Sequence, residues 1–511
     1  MLQIAQLTMT HTKDLTDLIV DLSLVVNKGD KVALIGEEGN GKSSLLKWMM
    51  AEDLISSYIQ VNGQIHRDFV HYSYIPQSFP KEFESLSLND YFFASTEGNL
   101  DYAALYRYAK ELDFDSNRFS DSQVLASLSG GEQLKIQLIK ELAKETDILF
   151  LDEPSNDLDL STLKWLEQFI NTTPKTVVFV SHDESFLGQT ATKIVHLERL
   201  KKRQVARTTV QTLTYTSYAQ KREEDFDRQA RQARNERLAH QKKVERHHRI
   251  HQSVEHTLRH THDATAGRLI AKKMKSVLAQ EKRYAKEAAT LTEMPLQEDS
   301  IRLFFKDIVP LPSHKTIIEL SHFPLQVGTK TLVSAIDFRF CAQEKVGIIG
   351  KNGVGKSSFL KQIYQLLQEQ ADYPIGYMPQ QYQELLQPTV SPLQFLTESP
   401  DKQEEERVLT HLASLQFSRE EAHHLISSLS GGQQAKLLLL KMVLDACPVL
   451  LLDEPTRNFS PTSQPQIQRL FTDFPGAILT VSHDRRFLQS VCDTIYHLDE
   501  NGIREILKEE L

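Results

Sequence analysis

The 511-residue sequence contains little cysteine and no long apolar run. Its three cysteines, Cys341, Cys447 and Cys492, are scattered and odd in number, which fits neither a disulfide framework nor a zinc ligand set. The longest apolar runs, TVVFV from Thr176 and LLLL from Leu437, are far shorter than the roughly 18 residues of a membrane-spanning helix. The N-terminus also lacks the basic and apolar regions of a secretory signal peptide. These absences argue against a membrane-embedded protein and predict a cytoplasmic one with reduced cysteines.

The formal net charge of -9 is distributed unevenly along the chain. Residues 201–290 contain 22 Lys and Arg against 10 Asp and Glu, and the remaining residues contain 37 against 58. A basic segment in an acidic protein is typical of polyanion binding, because each neutralised phosphate releases counterions. A solvated helical face would have the same composition. The charge alone therefore leaves both interpretations open.

Five short motifs occur twice, in the same order. The first copies are GEEGNGKS from Gly36, IPQ ending at Gln77, LSGGEQ from Leu128, LDEP with Asp152, and SHD with His182. The second copies are GKNGVGKS from Gly350, MPQ ending at Gln380, LSGGQQ from Leu429, LDEP with Asp453, and SHD with His483. The duplication predicts two homologous domains, the first repeat (1–199) and the second repeat (314–511), joined by an interdomain linker (200–313).

The pattern of each repeat predicts an α/β fold with a parallel sheet. Each glycine-rich run follows a short apolar stretch and precedes an apolar-periodic one, which indicates strand, loop and helix. No proline lies between Pro174 and Pro295, a stretch that includes most of the linker. The sequence of the linker predicts a long helix from about Tyr218 to Arg259, a turn at 261–267, and a second helix from Arg268. We therefore expect an antiparallel helical hairpin between the repeats.

Both glycine-rich runs fit the phosphate-binding pattern GxxxxGK[ST]. In this pattern the backbone N–H groups surround the phosphates, the lysine reaches the β and γ oxygens, and the hydroxyl binds Mg²⁺. Two matches in the same strand-loop-helix context make chance a poor explanation. The predicted nucleotide-binding residues are Gly36, Gly39, Asn40, Gly41, Lys42, Ser43 and Ser44, and Gly350, Gly353, Gly355, Lys356, Ser357 and Ser358.

Two carboxylates close a hydrophobic strand in each repeat. Asp152 and Asp453 would lie near the magnesium ion, normally through water. Glu153 and Glu454, which follow them, are expected to polarise the attacking water, although a buried carboxylate pair can also be purely structural. Two histidines after the next strand are predicted to contact the γ-phosphate, because a duplicated SHD motif favours catalysis over a structural role: His182 and His483.

The sequences LSGGEQ and LSGGQQ resemble the signature motif of ABC-type ATPases. Together with the other four motifs, this resemblance covers both repeats. The resemblance implies P-loop ABC-type nucleotide-binding domains that meet head to tail, with each ATP between the glycine loop of one and the signature of the other. One implied site contains Lys42, Ser43, Gln77, Asp152, Glu153 and His182, with Ser430, Gly431 and Gly432 across from it. The other contains Lys356, Ser357, Gln380, Asp453, Glu454 and His483, with Ser129, Gly130 and Gly131. Implied magnesium ligands are Ser43, Gln77, Asp152, Ser357, Gln380 and Asp453, and both glutamines join the catalytic set.

Two departures from the family pattern stand out. Asp159 occupies the position of the cross-interface aspartate, whereas the offset of 301 residues places Ser460 at the equivalent position of the second repeat. The two sites should therefore behave unequally. No aromatic residue clearly precedes either glycine loop as an adenine-stacking group, and Phe323 is a weak candidate that core packing explains better.

Two fused ATPase domains joined by a basic helical hairpin resemble the ABC-F class. The resemblance implies a monomer that binds ATP and Mg²⁺, and whose linker enters the tRNA exit site of the ribosome towards the peptidyl-transferase centre. The predicted phosphate-binding charges are Arg203, Arg222, Arg231, Arg234, Arg237, Lys242, Lys243, Arg246, Arg249, Arg268, Lys272, Lys273, Lys275, Lys282 and Arg283. Contact with tRNA or rRNA is expected near the tip, at His260, Thr261, His262, Asp263, Ala264 and Thr265.

Several functions fit these patterns. The compact repeats resemble members that protect ribosomes from antibiotics, and some translation factors of the class are equally compact. An ATP-binding subunit of an ABC membrane transporter is the main alternative, but it would leave the basic linker unexplained. A DNA-repair or chromosome-structuring ATPase is a further one, although its coiled coils would be far longer.

Overall fold

The chain divides into two compact units. A computed structural model describes residues 2–94, 100–155, 158–200, 205–260, 264–295, 303, 305, 308–328, 330–397 and 401–510. One unit consists of Met1–Tyr215 and Glu298–Leu511, and the other is Thr216–Gln297. Both repeats thus lie in one unit, and most of the linker forms the other. The boundaries at 199/200 and 313/314 stay predictions.

Two sheets form the N-terminal part of the first unit. The strands are β1 (Leu2–His11), β2 (Asp17–Val26), β3 (Lys31–Ile35), β4 (Ile59–Arg67), β5 (Tyr72–Ile75), β6 (Ile148–Asp152), β7 (Thr176–Val180), β8 (Lys193–Arg199) and β9 (Val205–Gln211). One sheet is antiparallel with the order β2-β1-β4. The other has the order β5-β6-β7-β3-β8-β9, and within it β9 pairs antiparallel while the other pairs are parallel.

The second repeat has the same sheet order. Its strands are β10 (Thr316–Val327), β11 (Lys330–Cys341), β12 (Lys345–Ile349), β13 (Ile375–Met378), β14 (Val449–Asp453), β15 (Ala477–Val481), β16 (Thr494–Asp499) and β17 (Gly502–Ile506). The large sheet runs β13-β14-β15-β12-β16-β17, which matches the first sheet strand for strand. The structure therefore confirms the predicted duplication and the α/β fold class.

Continuous apolar runs explain the parallel strands. Every residue of β3, β6 and β7 is buried, and so is every residue of β14 and β15. Strands with this composition need cover on both faces, which helices provide in parallel sheets. In the first repeat these helices are α1 (Lys42–Met50), α2 (Tyr102–Glu111), α3 (Gly130–Leu142), α4 (Leu160–Thr172) and α5 (Glu184–Thr190).

The linker unit is a pair of helices, as predicted. Helix α6 (Tyr215–His260) contains 46 residues and α7 (Ala264–Ala288) contains 25. At 1.5 Å per residue they are about 69 Å and 38 Å long. The predicted turn at 261–267 is shorter in the structure, because α7 begins at Ala264 and includes Gly267, a residue that a helix tolerates at a cost of about 1 kcal/mol. Thr261, His262 and Asp263 of the predicted tip lie outside the described residues.

The helices of the second repeat are α8 (Lys356–Gln370), α9 (Pro392–Leu396), α10 (Lys402–Ser414), α11 (Gly431–Leu444), α12 (Gln464–Thr472) and α13 (Arg485–Val491). They follow the same order as those of the first repeat, with two α-helices, α9 and α10, where the first repeat has α2. Among the described residues, no helix in either unit is long and apolar enough to cross a membrane.

A heptad-spaced row of α6 residues forms the seam of the hairpin. Ala233 and Val254 are buried at its ends, and His240 and His247 lie between them. Nε2 of His240 is 3.0 Å from the carbonyl oxygen of Tyr284, and Nε2 of His247 is 3.0 Å from that of Val277. Because a carbonyl only accepts hydrogen bonds, both histidines donate. The partners on α7 are also seven residues apart, so two polar contacts fix the register of an otherwise weakly apolar hairpin.

We expect His247→Ala to loosen the hairpin locally. The substitution removes one hydrogen bond, which is worth about 1 kcal/mol and corresponds to an approximately fivefold rise in amide exchange near Val277. Hydrogen exchange of the full chain measures this effect. His248→Ala, which removes an exposed neighbour, is the control and should leave exchange at Val277 unchanged. Equal effects of the two substitutions would contradict a stapling role for His247.

Candidate active sites

Each glycine loop joins a buried strand to the N-terminus of a helix. Gly41 before α1 has a φ of 88°, and Gly355 before α8 has a φ of 103°, left-handed values that favour glycine. Gly36 must also be glycine, because a Cβ there would lie 2.2 Å from the carbonyl oxygen of Leu197. These turns leave the first N–H groups of α1 and α8 facing the loop, where they can bind phosphate.

The two loop lysines fold back over their own loops. Lys42 Nζ donates to the carbonyl oxygens of Gly36 and Glu37 at 2.8 and 2.9 Å. Lys356 Nζ does the same with Gly350 and Lys351 at 2.9 and 3.0 Å. Both ammonium groups are buried, and burial lowers the pKa of Lys356. Both cations therefore lie at the loops, where a phosphate could also bind them.

A serine and an aspartate meet beside each loop. Ser43 Oγ donates to Asp152 Oδ1 at 3.0 Å. Burial, with a smaller contribution from the negative charge of Glu153, raises the pKa of Asp152 to about 6. Burial likewise raises the pKa of Asp453 to about 6, although a hydrogen bond from Ser357 opposes this rise. A bound cation would offset the cost of ionising either carboxylate.

In the first repeat, the structure brings the predicted glutamine, glutamate and histidine together. The backbone of Glu153 is left-handed, with a φ of 53°, and its N–H donates to the carbonyl oxygen of Val180 at 3.0 Å. Gln77 Nε2 donates to Glu153 Oε2 at 2.9 Å, and His182 Nε2 lies 3.3 Å from Glu153 Oε1. The strained turn thus directs the carboxylate away from β6 and towards the loop.

In the second repeat, the corresponding set is looser. Glu454 also has a left-handed φ, of 51°. Its Oε2 accepts from Ser482 Oγ and from the backbone N–H of His483, both at 3.3 Å. His483 Nε2 is 3.8 Å from Glu454 Oε1, whereas Gln380 is exposed and its side chain lines a cavity.

Burial dominates the electrostatics of this second set. It raises the pKa of Glu454 to about 8, with the charge of Asp453 acting in the same direction. Burial also lowers the pKa of His483 to about 3, and the nearby Lys356 contributes. At neutral pH the glutamate therefore holds a proton and the imidazole is neutral.

A cavity of about 550 Å³ lies where the glycine loop of the second repeat faces the signature of the first. Residues of both repeats form its walls, so the two repeats meet head to tail at this point. The predicted site residues that line it are Ser129, Gly130, Gly131, His182, Gly353, Gly355, Lys356, Ser357, Ser358, Gln380, Asp453, Glu454 and His483.

At the other junction, the first glycine loop touches the signature of the second repeat directly. Glu38 Oε2 accepts from the backbone N–H of Gly432 at 3.2 Å. Glu37 Oε1 lies 3.1 Å from Lys436 Nζ on α11, and both side chains are largely buried. His182 Nδ1, 3.0 Å from the carbonyl oxygen of Phe459, adds a third contact between the repeats.

The signature serines cap the helices that follow them. Ser129 Oγ accepts from the backbone N–H of Glu132, whose side chain accepts from the N–H of Ser129, and the pair forms a capping box. Ser430 and Gln433 form the same box before α11. Capping fixes the helix start and leaves the N–H groups of the following glycines available to an anion.

The departures predicted from sequence have visible structural consequences. Asp159 caps α4 by accepting from Thr162 N at 2.9 Å, and its charge also acts on His483 of the second repeat. Ser460 instead bonds the hydroxyls of Thr462 and Ser463 at 3.0 Å. The negative charge of Asp159 therefore acts on the second site, whereas the equivalent Ser460 is neutral.

Four further residues complete the description of the loop and of the cavity wall. Asn40 donates to the carbonyl oxygen of Leu197 at 2.9 Å, so it holds the loop against β8. Phe323 packs against the core of the second repeat and is absent from the residues that line the cavity. Val327 and Leu332 do line it, but aliphatic residues in a strand give no sequence signal for base binding.

The comparisons with known proteins agree with this geometry. The family model described as ABC transporter matches residues 19–156 and 333–457, about half of the chain. The chain belongs to the ABC transporter family. Its tandem domains and its relatives make it an ABC-F ATPase.

These relatives extend over nearly the whole chain. They include the ATP-binding protein Uup of Escherichia coli, 28% identical, which covers 95% of this chain and 78% of its own. The probable ATP-binding protein YheS of Haemophilus influenzae is 25% identical, and the match covers 96% of this chain and 78% of that protein. The putative ATP-binding protein YdiF of Bacillus subtilis is also 25% identical, and the match covers 99% of this chain and 81% of that protein.

Solved structures share the fold of this ABC-F ATPase. A structure named RNase-L Inhibitor superposes with a TM-score of 0.60 at 15% identity, covering 99% of this chain and 91% of its own. A complex of archaeal ribosomal stalk protein aP1 with the archaeal ribosome recycling factor aABCE1 superposes with a TM-score of 0.58 at 15% identity. The match covers 98% of this chain and 90% of that chain. Likenesses at this identity describe the fold alone.

Polar atoms at the second site fit a nucleotide with its metal ion. Asp453 Oδ1 and Glu454 Oε1 are buried and have no hydrogen-bond partner in the described part of the chain. Nδ1 of His483 is also buried and has no hydrogen-bond partner among the described residues. Buried polar groups are normally satisfied, so atoms of this kind beside a phosphate-binding loop indicate a place for an oxygen-rich ligand and a cation.

The raised pKa of Glu454 predicts a pH-dependent stability. The free energy of unfolding should fall as the pH rises from about 4.5 to about 8, because in that window the unfolded chain ionises this carboxyl and the folded chain does not. Glu454→Gln cannot ionise. We expect its nucleotide-free melting temperature to match that of the wild type near pH 5 and to exceed it by several degrees at pH 8.5.

Differential scanning fluorimetry across this pH range measures the effect. Glu132→Gln is the control, because hydrogen bonds and the charge of Arg118 lower the pKa of Glu132. Its stabilising contribution is present above its usual pKa and is lost at lower pH, so this variant should be destabilised most at high pH. A Glu454→Gln difference that does not change with pH would contradict the buried, protonated state.

Proposed function

We propose that this ABC-F ATPase binds the ribosome in its ATP-bound, closed state and leaves it after hydrolysis. The basic hairpin would enter the tRNA exit and peptidyl-transferase region, where it would protect ribosomes from antibiotics or act as a translation factor in the cytoplasm. The observation that carries the proposal is the combination, in one chain, of head-to-tail repeats and a long cationic hairpin. ATP-driven closure would then control how the hairpin is presented.

The charges of the hairpin are available to an external polyanion. Several ion pairs do form along α6 and α7, such as Arg231 with Asp227 and Lys243 with Glu287. A larger group is exposed and makes no ion pair among the described residues: Arg234, Arg237, Lys242, Arg246, Arg249, Arg268, Lys272, Lys273, Lys275 and Lys282. Unneutralised cations on both helices support binding to RNA phosphates.

Structures with the same fold support the choice of the ribosome among polyanions. Archaeal aABCE1 is named as a ribosome recycling factor, and a related structure is a model of ribosome-bound archaeal Pelota and ABCE1, with a TM-score of 0.56 at 15% identity. That model covers 98% of this chain and 78% of its own. Ribosome association therefore occurs in proteins that share this two-domain architecture.

The proposed mechanism uses the residues of both repeats at each site. The glycine loop and its lysine would bind the phosphates, and the signature of the other repeat would complete their enclosure. The serine, aspartate and glutamine of each repeat would hold Mg²⁺, which supplies positive charge to the β and γ oxygens. The glutamates would orient the attacking water, and the SHD histidines would contact the γ-phosphate.

ATP must bind the closed arrangement more tightly than the open one, because a ligand shifts an equilibrium only if its affinities for the two states differ. The closed state would bury the nucleotide between two repeats, both of which would then bind it. Hydrolysis removes the γ-phosphate that joins loop to signature, so the closed state no longer has its advantage. The protein would act as a monomer with intramolecular closure.

Sedimentation with purified bacterial ribosomes tests the proposal. The variant Glu153→Gln/Glu454→Gln should stay closed with ATP and co-pellet with ribosomes, whereas with ADP it should remain in the supernatant. Drug-susceptibility tests of cells that express the wild type would then separate antibiotic protection from general translation. Failure to co-pellet with any nucleotide, or recovery with membranes instead, would overturn the proposed partner.

Charge removal on the hairpin gives a quantitative prediction. Arg246→Gln/Arg249→Gln/Lys272→Gln/Lys273→Gln should weaken ribosome binding and reduce the slope of log affinity against log salt by about 0.7–0.9 for each phosphate that the variant no longer neutralises. The control replaces four exposed lysines of the repeats: Lys13, Lys28, Lys81 and Lys402. An unchanged slope for the hairpin variant, or an equal reduction in the control, would show that the hairpin is not the RNA-binding surface.

A further inference from the structure

The two glycine loops of the molecule carry opposite charges. The first loop has Glu37 and Glu38 after its first glycine, whereas the second has Lys351 and Asn352 at the same positions. A loop that binds phosphates gains nothing from two carboxylates, because like charges at close range repel. The first loop is therefore unfavourable for ATP unless its carboxylates have another partner.

The structure shows the partner of Glu38. Its Oε2 accepts from the N–H of Gly432, in the first turn of α11, at 3.2 Å. The N–H groups at a helix start are unsatisfied within the helix and attract anions, so the Glu38 carboxylate occupies the anion position of α11. A Cβ added to Gly431 would lie 2.9 Å from the same carboxylate oxygen, which shows how closely the two groups approach.

The partner of Glu37 lies one helical turn further along α11. Glu37 Oε1 is 3.1 Å from Lys436 Nζ, with side chains that are 11% and 5% exposed. Breaking a largely buried pair is costly, because it leaves a desolvated charge without a partner. The equivalent lysine of the first repeat, Lys135, is 3.9 Å from Asp159 of its own repeat, and in the described part of the chain it has no ion pair with the other loop.

The second junction is the internal comparison. Asn352, the counterpart of Glu38, lines the open cavity together with Gly130 and Gly131 at the start of α3. Lys351, the counterpart of Glu37, is exposed and lies 3.5 Å from Asp113. The same elements thus leave room for a nucleotide at one junction and are joined by carboxylates at the other.

We propose that the first glycine loop gates its own site: Glu38 takes the γ-phosphate position at α11 and Glu37 holds Lys436, so ATP must displace both carboxylates. The second site takes ATP without this exchange. The proposal rests on the proposed function only in that both loops bind ATP, and it adds an order, with the second site filling first. Once displaced, Lys436 would be free to face the incoming phosphates.

Nucleotide binding to the full chain tests the gate without ribosomes. Equilibrium dialysis with Mg²⁺ and the non-hydrolysable analogue adenylyl imidodiphosphate should show two classes of site that differ at least tenfold in affinity. Lys42→Ala should abolish the weaker class and Lys356→Ala the stronger one. Glu37→Lys/Glu38→Asn, which copies the second loop, should strengthen the weaker class at least tenfold and leave the stronger one unchanged.

Two further variants and one further ligand sharpen the test. Asn352→Glu introduces a carboxylate into the second loop and should weaken the stronger class, whereas Glu38→Gln keeps the shape without the charge and should give an intermediate gain. ADP lacks the γ-phosphate and need not displace Glu38. Its affinity for the first site should therefore change less than threefold in the Glu37→Lys/Glu38→Asn variant.

Three results would overturn the gate. They are equal affinities at both sites of the wild type, an unaltered weaker class in the Glu37→Lys/Glu38→Asn variant, and equal gains for ADP and the analogue. The melting temperature of each variant excludes misfolding as the cause. Failure to bind ribosomes leaves these measurements unaffected, so it would contradict the proposed function alone, whereas a chain that binds no nucleotide would contradict the gate as well.

Discussion

The architecture depends on the hydrogen-bonding groups that a helix leaves unpaired at its start. Each repeat presents two such ends, that of α1 or α8 after the glycine loop and that of α3 or α11 after the signature. The unpaired N–H groups of both kinds of end can bind an anion. The head-to-tail contact of the repeats brings them together. Residues of both repeats therefore line the cavity in which the proposed nucleotide would bind.

The two junctions use the same backbone with different side chains. At the second, protonated Glu454 and neutral His483 surround a cavity and have polar atoms to offer. At the first, Glu153 already contacts Gln77 and His182, and the loop carboxylates bind α11. The two junctions thus share a backbone arrangement, but the loop carboxylates contact α11 at the first, whereas a cavity lies at the second.

Sequence alone predicted the duplication and the parallel sheets, since these follow from local motifs and apolar runs, and it named side chains that line the cavity beside the second glycine loop. It placed the start of the second hairpin helix too late, because glycine at 267 suggested a turn where the structure continues a helix. The contact of Glu38 with Gly432 lay beyond its reach, since the residues are nearly four hundred positions apart. The aliphatic lining by Val327 and Leu332 left no pattern to recognise.

The long helix begins at a residue that contacts both repeats. The hydroxyl of Tyr215, the first residue of α6, lies 2.9 Å from Glu184 Oε1 of the first repeat and 3.0 Å from the carbonyl oxygen of Pro461 of the second. Arg486 of the second repeat binds the other oxygen of Glu184 at 2.9 Å. A change in the spacing of the repeats must therefore strain or break a buried contact at Tyr215. Since α6 is continuous from that residue, these contacts tie the first residue of the long helix to both repeats at once.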